Sequence, residues 1–221
     1  MPDLKNLVLS KNTFLFDMDG TIVNTEGLHA KAAMVVLSEM GISIDLESML
    51  TKFYGMTDTV VLKMTCPHLN EDEITKAIEK KNVQLLQILK SMTSAEKEKY
   101  ITPGLFDFLN LLKKENKKIG VVSASEDIIV TETLKAFGIS EFVEIQMGRN
   151  QTILTKPNPD PYLEGMRRLN STALETLIFE DSPTGLASAH ASGAHSIRIT
   201  EFSHSKEKSS FEEIQNFILK K

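Results

Sequence analysis

Apolar and polar positions follow two different rhythms along this chain. Thr13 to Phe16 is a short unbroken run of β-branched and aromatic residues, which reads as a strand buried on both faces. From Thr25 to about Tyr100 the rhythm turns helical and rich in Met, Lys and Glu, with no further core strand expected there. Helices are predicted at Glu26 to Met40, stopped by Gly41 as a left-handed cap, and at Leu46 to Lys52, Thr57 to Thr65 and Glu71 to Ser91. The last of these has Asn70 as N-cap and Glu73 three residues on. Such helices can pack as a small bundle of their own.

Beyond Thr102-Pro103-Gly104, the residues Leu105, Phe108, Leu109 and Leu112 form a helical stripe, and strands then alternate with helices. Strands are predicted at Lys118 to Ser123, Phe142 to Met147, Thr176 to Glu180 and His195 to Ile199. Helices are predicted at Glu126 to Phe137, Pro159 to Leu169, Pro183 to Ser192 and Ser209 to Leu219. With the first run this gives an α/β class: a parallel sheet of about five strands covered by helices on both faces. The helical block is then an insert after the first strand. Residues 1–24 and 100–221 are expected to form one domain, and residues 25–99 a second. The sequence shows no internal repeat, and Ser203 to Ser210 reads as a short polar loop.

Thirty acidic against 25 basic side chains leave a formal charge of -5, which argues against a nucleic-acid groove or an anionic membrane as partner. Cys66 is the only cysteine, so no intrachain disulfide forms, and a cysteine-based metal site is not expected. Cys66 reads as a small apolar filler, and the ten methionines as fillers of core gaps. No signal-peptide stretch opens the sequence and no apolar run approaches the roughly 20 residues of a membrane span, so a cytoplasmic monomer is expected.

Candidate chemistry gathers at the predicted strand ends, where ligands of open α/β sheets bind. Asp17 and Asp19 follow the first strand, two apart and so pointing the same way, and Gly20 lets the backbone turn off. Ser123-Ala124-Ser125 follows the second strand, Lys156 lies in Thr155-Lys-Pro-Asn-Pro-Asp160, and Glu180-Asp181-Ser182-Pro183 closes a later one. Taken singly, Ser123 reads as a helix N-cap and Lys156 as an exposed lysine. Asp181 or Ser182 before Pro183 also reads as an N-cap. Together they supply a carboxylate nucleophile, a second carboxylate for proton transfer, a hydroxyl and a lysine for anionic oxygens, and an acidic pair for a hard cation. That combination suits phosphoryl transfer.

In order and wording these four motifs, D-M-D-G-T, V-V-S-A-S, K-P-N-P-D and F-E-D-S-P-T-G-L-A-S-A, resemble those of the haloacid dehalogenase superfamily. The resemblance is to its branch with a helical cap: phosphoglycolate phosphatases, sugar phosphatases and β-phosphoglucomutases. It implies a Rossmann-like three-layer core in which Asp17 attacks phosphorus to form an aspartyl-phosphate. Asp19 would protonate the leaving alcohol and later take a proton from water. It implies Mg²⁺ held by the Asp17 carboxylate, the Asp19 backbone carbonyl and Asp181, with Glu180 acting through water. Ser123 and Lys156 would hold phosphoryl oxygens, helped by the N–H groups of Met18, Asp19 and Ala124. Thr25 and His29 match positions that face the substrate cleft in such relatives, although His29 alone reads as an ordinary helical histidine.

The expected activity is therefore Mg²⁺-dependent hydrolysis of a small phosphomonoester, a sugar, polyol or glycolate-type phosphate, with the insert setting substrate choice. A phosphomutase is the alternative, and a non-catalytic phosphometabolite-binding module a second. Haloalkanoate dehalogenation is disfavoured by Asp19, since halide displacement needs no acid there. The sequence departs from the relatives at Asn24, where many have Asp or Ser. The insert lacks arginine, Asp58 falls nearest the arginine with which mutases grip a second phosphate, and Lys81 falls near their lysine.

Overall fold

A computed structural model describes residues 4–53, 56–202 and 210–219. The chain forms two compact units, one of Met1–Asn24 with Lys97–Lys221 and one of Thr25–Glu96. In chain order, α1 (Leu4–Ser10) and β1 (Thr13–Phe16) precede the helices α2 (Glu26–Glu39), α3 (Leu46–Lys52), α4 (Asp58–Thr65), α5 (Glu71–Ser91) and α6 (Ser94–Glu98). Then come α7 (Leu105–Lys114), β2 (Lys118–Val122), α8 (Asp127–Ala136), β3 (Ile145–Met147) and α9 (Asp160–Arg168). β4 (Thr176–Glu180), α10 (Pro183–Ala191), β5 (His195–Ile199) and β6 (Glu212–Ile214) complete the chain. Among the described residues no helix is long and apolar enough to cross a membrane.

The first unit is an α/β core built on one fully parallel sheet, with strand order β3-β2-β1-β4-β5-β6. β1 lies between β2 and β4, and all four of its residues are buried, as an unbroken apolar run requires. Its alternation assigns each residue a face. Phe14 and Phe16 pack with Phe108 of α7, Phe179 of β4 and Phe217, where Phe16 stacks on Phe179 at 5.1 Å. Leu15 joins a second cluster with Val122, Met147, Tyr162, Met166 and Ile178. Because β1 is central and parallel to its neighbours, Asp17, Ser123 and the end of β4 leave the sheet on one edge.

Three expectations need correction. The sheet has six strands rather than about five. The predicted helix over Ser209 to Leu219 is replaced, within its described part, by β6; Ser209 itself and the predicted loop up to it lie outside the described residues. Glu-Glu-Ile favours a helix locally, but β6 pairs with the outer edge of β5, where Glu212 bonds His195 at 2.7 Å and Glu213 bonds Arg198 at 3.0 Å. Those cross-strand partners override local preference. The strand over Phe142 to Met147 is confined to β3 at Ile145–Met147.

Among its described residues the second unit has helices and no strand, and α2 packs on both α3 and α5. Its interior gathers Val36, Leu37, Met49, Leu62, Ile74 and Ala77, with Cys66 buried among them. Asn70 and Glu73 close a reciprocal capping box at the start of α5.

Candidate active site

The end of β1 supplies Asp17, whose N–H continues the ladder to the Phe179 carbonyl at 2.9 Å. Its side chain is 10 % exposed. The Lys156 ammonium, from the segment between β3 and α9, lies 2.6 Å from Asp17 Oδ1, 2.7 Å from Glu180 Oε1 and 2.9 Å from the Val122 carbonyl. Three acceptors thus hold its three donors.

Glu180 ends β4 and is completely buried. Its Oε1 also accepts from the Tyr162 hydroxyl at 2.9 Å, while Oε2 accepts from Asp181 N, Ser182 N and Ser182 Oγ at 3.0 to 3.2 Å. Ser182 in turn caps α10 through Gly185 N at 3.0 Å. Gly185 is a necessity there, since a Cβ at that position would overlap the Glu180 carboxylate. Asp181 is half-buried, and its Oδ1 accepts from Thr21 Oγ1 at 3.0 Å. Gly20 turns at φ +87°, and a Cβ on it would strike the Asp181 carboxylate, so both backbone and space call for glycine.

Asp19 follows two residues after Asp17, and its charge acts on the carboxyls of both Asp17 and Asp181. Its Oδ2 accepts from Ser125 Oγ at 2.9 Å and Ser123 Oγ at 3.2 Å, and Ser125 N donates to Ser123 Oγ at 3.0 Å. Ala124, between the two serines, is exposed. Thr25 and His29 belong to the helical unit: Thr25 is the buried N-cap of α2, and His29 Nδ1 lies 2.8 Å from Lys81 Nζ.

The electrostatics ask for a cation. Single oxygens of Asp17, Glu180 and Asp181 all lie within 4.8 Å of one another, against one ammonium. Burial, then the Glu180 charge, push the Asp17 carboxyl well above its ordinary range, with Lys156 opposing. The same two causes push Asp181 up to about 8. Burial works against the Lys156 ammonium, but Asp17 and Glu180 outweigh it and raise its pKa. An all-oxygen set with more negative charge than Lys156 balances fits a hard divalent ion such as Mg²⁺.

Several contributors were not singled out from sequence. Tyr162 lies on the buried face of α9, and a phenol buried there requires an acceptor; the need for a partner could be read from sequence, but that the partner is Glu180 could not. Ser125, Thr21 and Gly185 lie inside the quoted motifs, which assign them no role by themselves.

The haloacid dehalogenase-like hydrolase family model matches residues 14–199. Hexitol phosphatase B of Escherichia coli strain K12 is 22% identical over 83% of this chain and 81% of its own. Pyrophosphatase PpaX of Halalkalibacterium halodurans is 25% identical over 77% of this chain and 75% of its own. Among solved structures, β-phosphoglucomutase of Clostridium difficile superposes with a TM-score of 0.75 at 23% identity, covering 94% of this chain and 92% of that one; at such identity the likeness speaks for the fold alone. With the family match spanning every strand from β1 to β5 and all four motifs, the chain belongs to the haloacid dehalogenase-like hydrolases.

Proposed function

We propose that this hydrolase is a Mg²⁺-dependent phosphatase of a small sugar or polyol phosphate, working through an aspartyl-phosphate on Asp17. The observation that carries the reading is the pairing of two carboxylates with different surroundings. Asp17 is buried against Lys156, and Asp19 is held by two hydroxyls. An ionised Asp17 oxygen attacks phosphorus and the bond to the substrate alcohol breaks, with the proton from Asp19 going to the departing oxygen. Asp19 then takes a proton from water, which attacks phosphorus and releases Asp17.

Lys156 opposes protonation of Asp17, as the bound cation would, and, with Ser123 and the N–H groups of Met18, Asp19 and Ala124, takes the phosphoryl oxygens. Mg²⁺, held by Asp17, the Asp19 carbonyl and Asp181, would supply the positive charge that lets a phosphate approach these carboxylates. Glu180 already accepts five protein hydrogen bonds, which suits an indirect role. The phosphatase names of hexitol phosphatase B and PpaX support the reaction class, and the former supports a polyol phosphate.

The test is phosphate release from a panel of phosphorylated metabolites. Turnover is expected with Mg²⁺, loss in excess chelator, and ³²P captured on a peptide containing Asp17. Full turnover in chelator, or label on another residue, would overturn the mechanism.

A further inference from the structure

Lys156 reaches the site from a stretch that buries little of its own. Residues 152–159, between the 3₁₀ turn Arg149–Gln151 and α9, form no regular element, and Ile153 is 99 % exposed and Leu154 49 %. Thr155, Pro157 and Asn158, on either side of the lysine, are exposed as well. A side chain that must meet three acceptors at once needs its backbone fixed, and here the fixing comes from the two ends of the stretch. At the far end Ser188 Oγ of α10 donates to the Asn158 carbonyl at 2.5 Å. At the near end stands Asp127, the first residue of α8. Its Oδ1 accepts from Gly148 N and its Oδ2 from Gln151 Nε2, both at 2.8 Å, while Arg149 N donates to the Ser125 carbonyl at 2.8 Å. A Cβ on Gly148 would lie 2.5 Å from Asp127 Oδ1, so glycine is what lets the carboxylate close in. Gln151 is fixed in turn, since its carbonyl accepts from Arg168 Nη1 at 2.9 Å and Arg168 is tied to Glu164 at 2.8 Å. With that oxygen taken, only the NH₂ group of Gln151 can face Asp127.

We propose that Asp127 is a positioning residue for Lys156: its two oxygens fasten residues 148–151 to the start of α8 and so set where the lysine enters the site. This rests on the phosphatase reading above, in which Lys156 takes a phosphoryl oxygen. All the residues involved belong to the α/β core. Both oxygens must accept, which a carboxylate does and an amide does not. An amide here would keep the bond to Gly148 but set NH₂ against NH₂ at Gln151, and the turn would loosen at the residue from which the exposed stretch departs. A displaced ammonium loses much of its hold on a phosphate, because its hydrogen bonds weaken steeply with distance and angle.

The test measures binding of inorganic phosphate to the full chain with Mg²⁺ by ³¹P NMR titration, which reads millimolar affinities. Asp127→Asn is expected to weaken binding about tenfold, the worth of one hydrogen bond to a charged group. Gln151→Glu alone is expected to weaken it as well, by setting two carboxylates face to face. The two substitutions together reverse the polarity of the contact, the amide donating and the carboxylate accepting from it and from Arg168. They are expected to return binding to within about twofold of wild type. In a Lys156→Met chain, Asp127→Asn is expected to change binding by less than about twofold, because the residue through which it acts has gone. That comparison separates positioning from general support of the fold, which would persist without the lysine. Unchanged binding in Asp127→Asn, no recovery in the double variant, or an undiminished loss in the Lys156→Met chain overturns the proposal, and so does a wild type that binds no phosphate. If urea titration shows Asp127→Asn unfolded, Gln151→Met removes the same hydrogen bond from its other side and decides by the same comparisons. A wild type that binds phosphate but releases none from the panel of phosphorylated metabolites fails the phosphatase reading alone.

Discussion

Tyr162→Phe tests whether the buried Glu180 carboxylate depends on the donors arranged around it. The Tyr162 ring is completely buried beside Leu15 and Met166, and its hydroxyl lies 2.9 Å from the Glu180 oxygen that Lys156 also reaches. Burial, and next the Glu180 charge, push the phenol well above its ordinary pKa, so it keeps its proton and remains a donor. A hydrogen bond to a charged acceptor contributes about 1.5–3 kcal/mol. Phenylalanine fills the same ring volume, so little cavity cost is added. Glu180 keeps four other bonds, which puts the expected loss near the lower end, about 1.5–2 kcal/mol. With a urea slope of roughly 2 kcal/mol per molar, the unfolding midpoint should fall by about 0.7–1 M at unchanged slope. Urea titration of both chains at neutral pH, followed by circular dichroism, measures this directly. A shift below about 0.2 M would refute the reasoning, because Glu180 would then be satisfied without the phenol.

The raised carboxyls of Asp181 and Asp17 bind a proton more tightly in the folded chain than in the unfolded one. The stability that Asp181 contributes is complete below about pH 4 and is lost as pH rises through about 8, and Asp17, raised by the same two causes, adds its own loss of stability as pH rises. In chelator the urea midpoint should decline across that window, and Mg²⁺ should flatten the decline by replacing the protons; coincident pH profiles with and without Mg²⁺ would count against a cation among these carboxylates. Replacing residues 26–98 with the corresponding insert of hexitol phosphatase B is expected to re-rank substrates by kcat/KM. An unchanged ranking would remove the insert from substrate choice.

The core was legible because its strands are short apolar runs punctuated by turn chemistry, and because three of the four quoted motifs lie at the ends of such runs. Asp17, Glu180 and Asp181 converge for that reason: a parallel sheet carries the ends of β1 and β4 to one edge, and Lys156 reaches them from the segment after β3. β6 was not legible. Its Glu-Glu-Ile is polar and locally helix-favouring, and what makes it a strand is His195 and Arg198 on β5, which no window of sequence around it contains.

Tyr162 and Lys81 stand between those cases, since both occupy positions that the helical period assigns to a buried face. Periodicity says which way a side chain points, and a polar group pointed inward must meet a partner. It does not say which one. For Tyr162 the partner is a carboxylate shared with Lys156, so a residue of the α9 stripe becomes part of the support of the site. For Lys81 the partners are Asp58 of α4 and His29 of α2, which hold the ammonium inside the helical unit and lie far from it in sequence, so no window around α5 contains them.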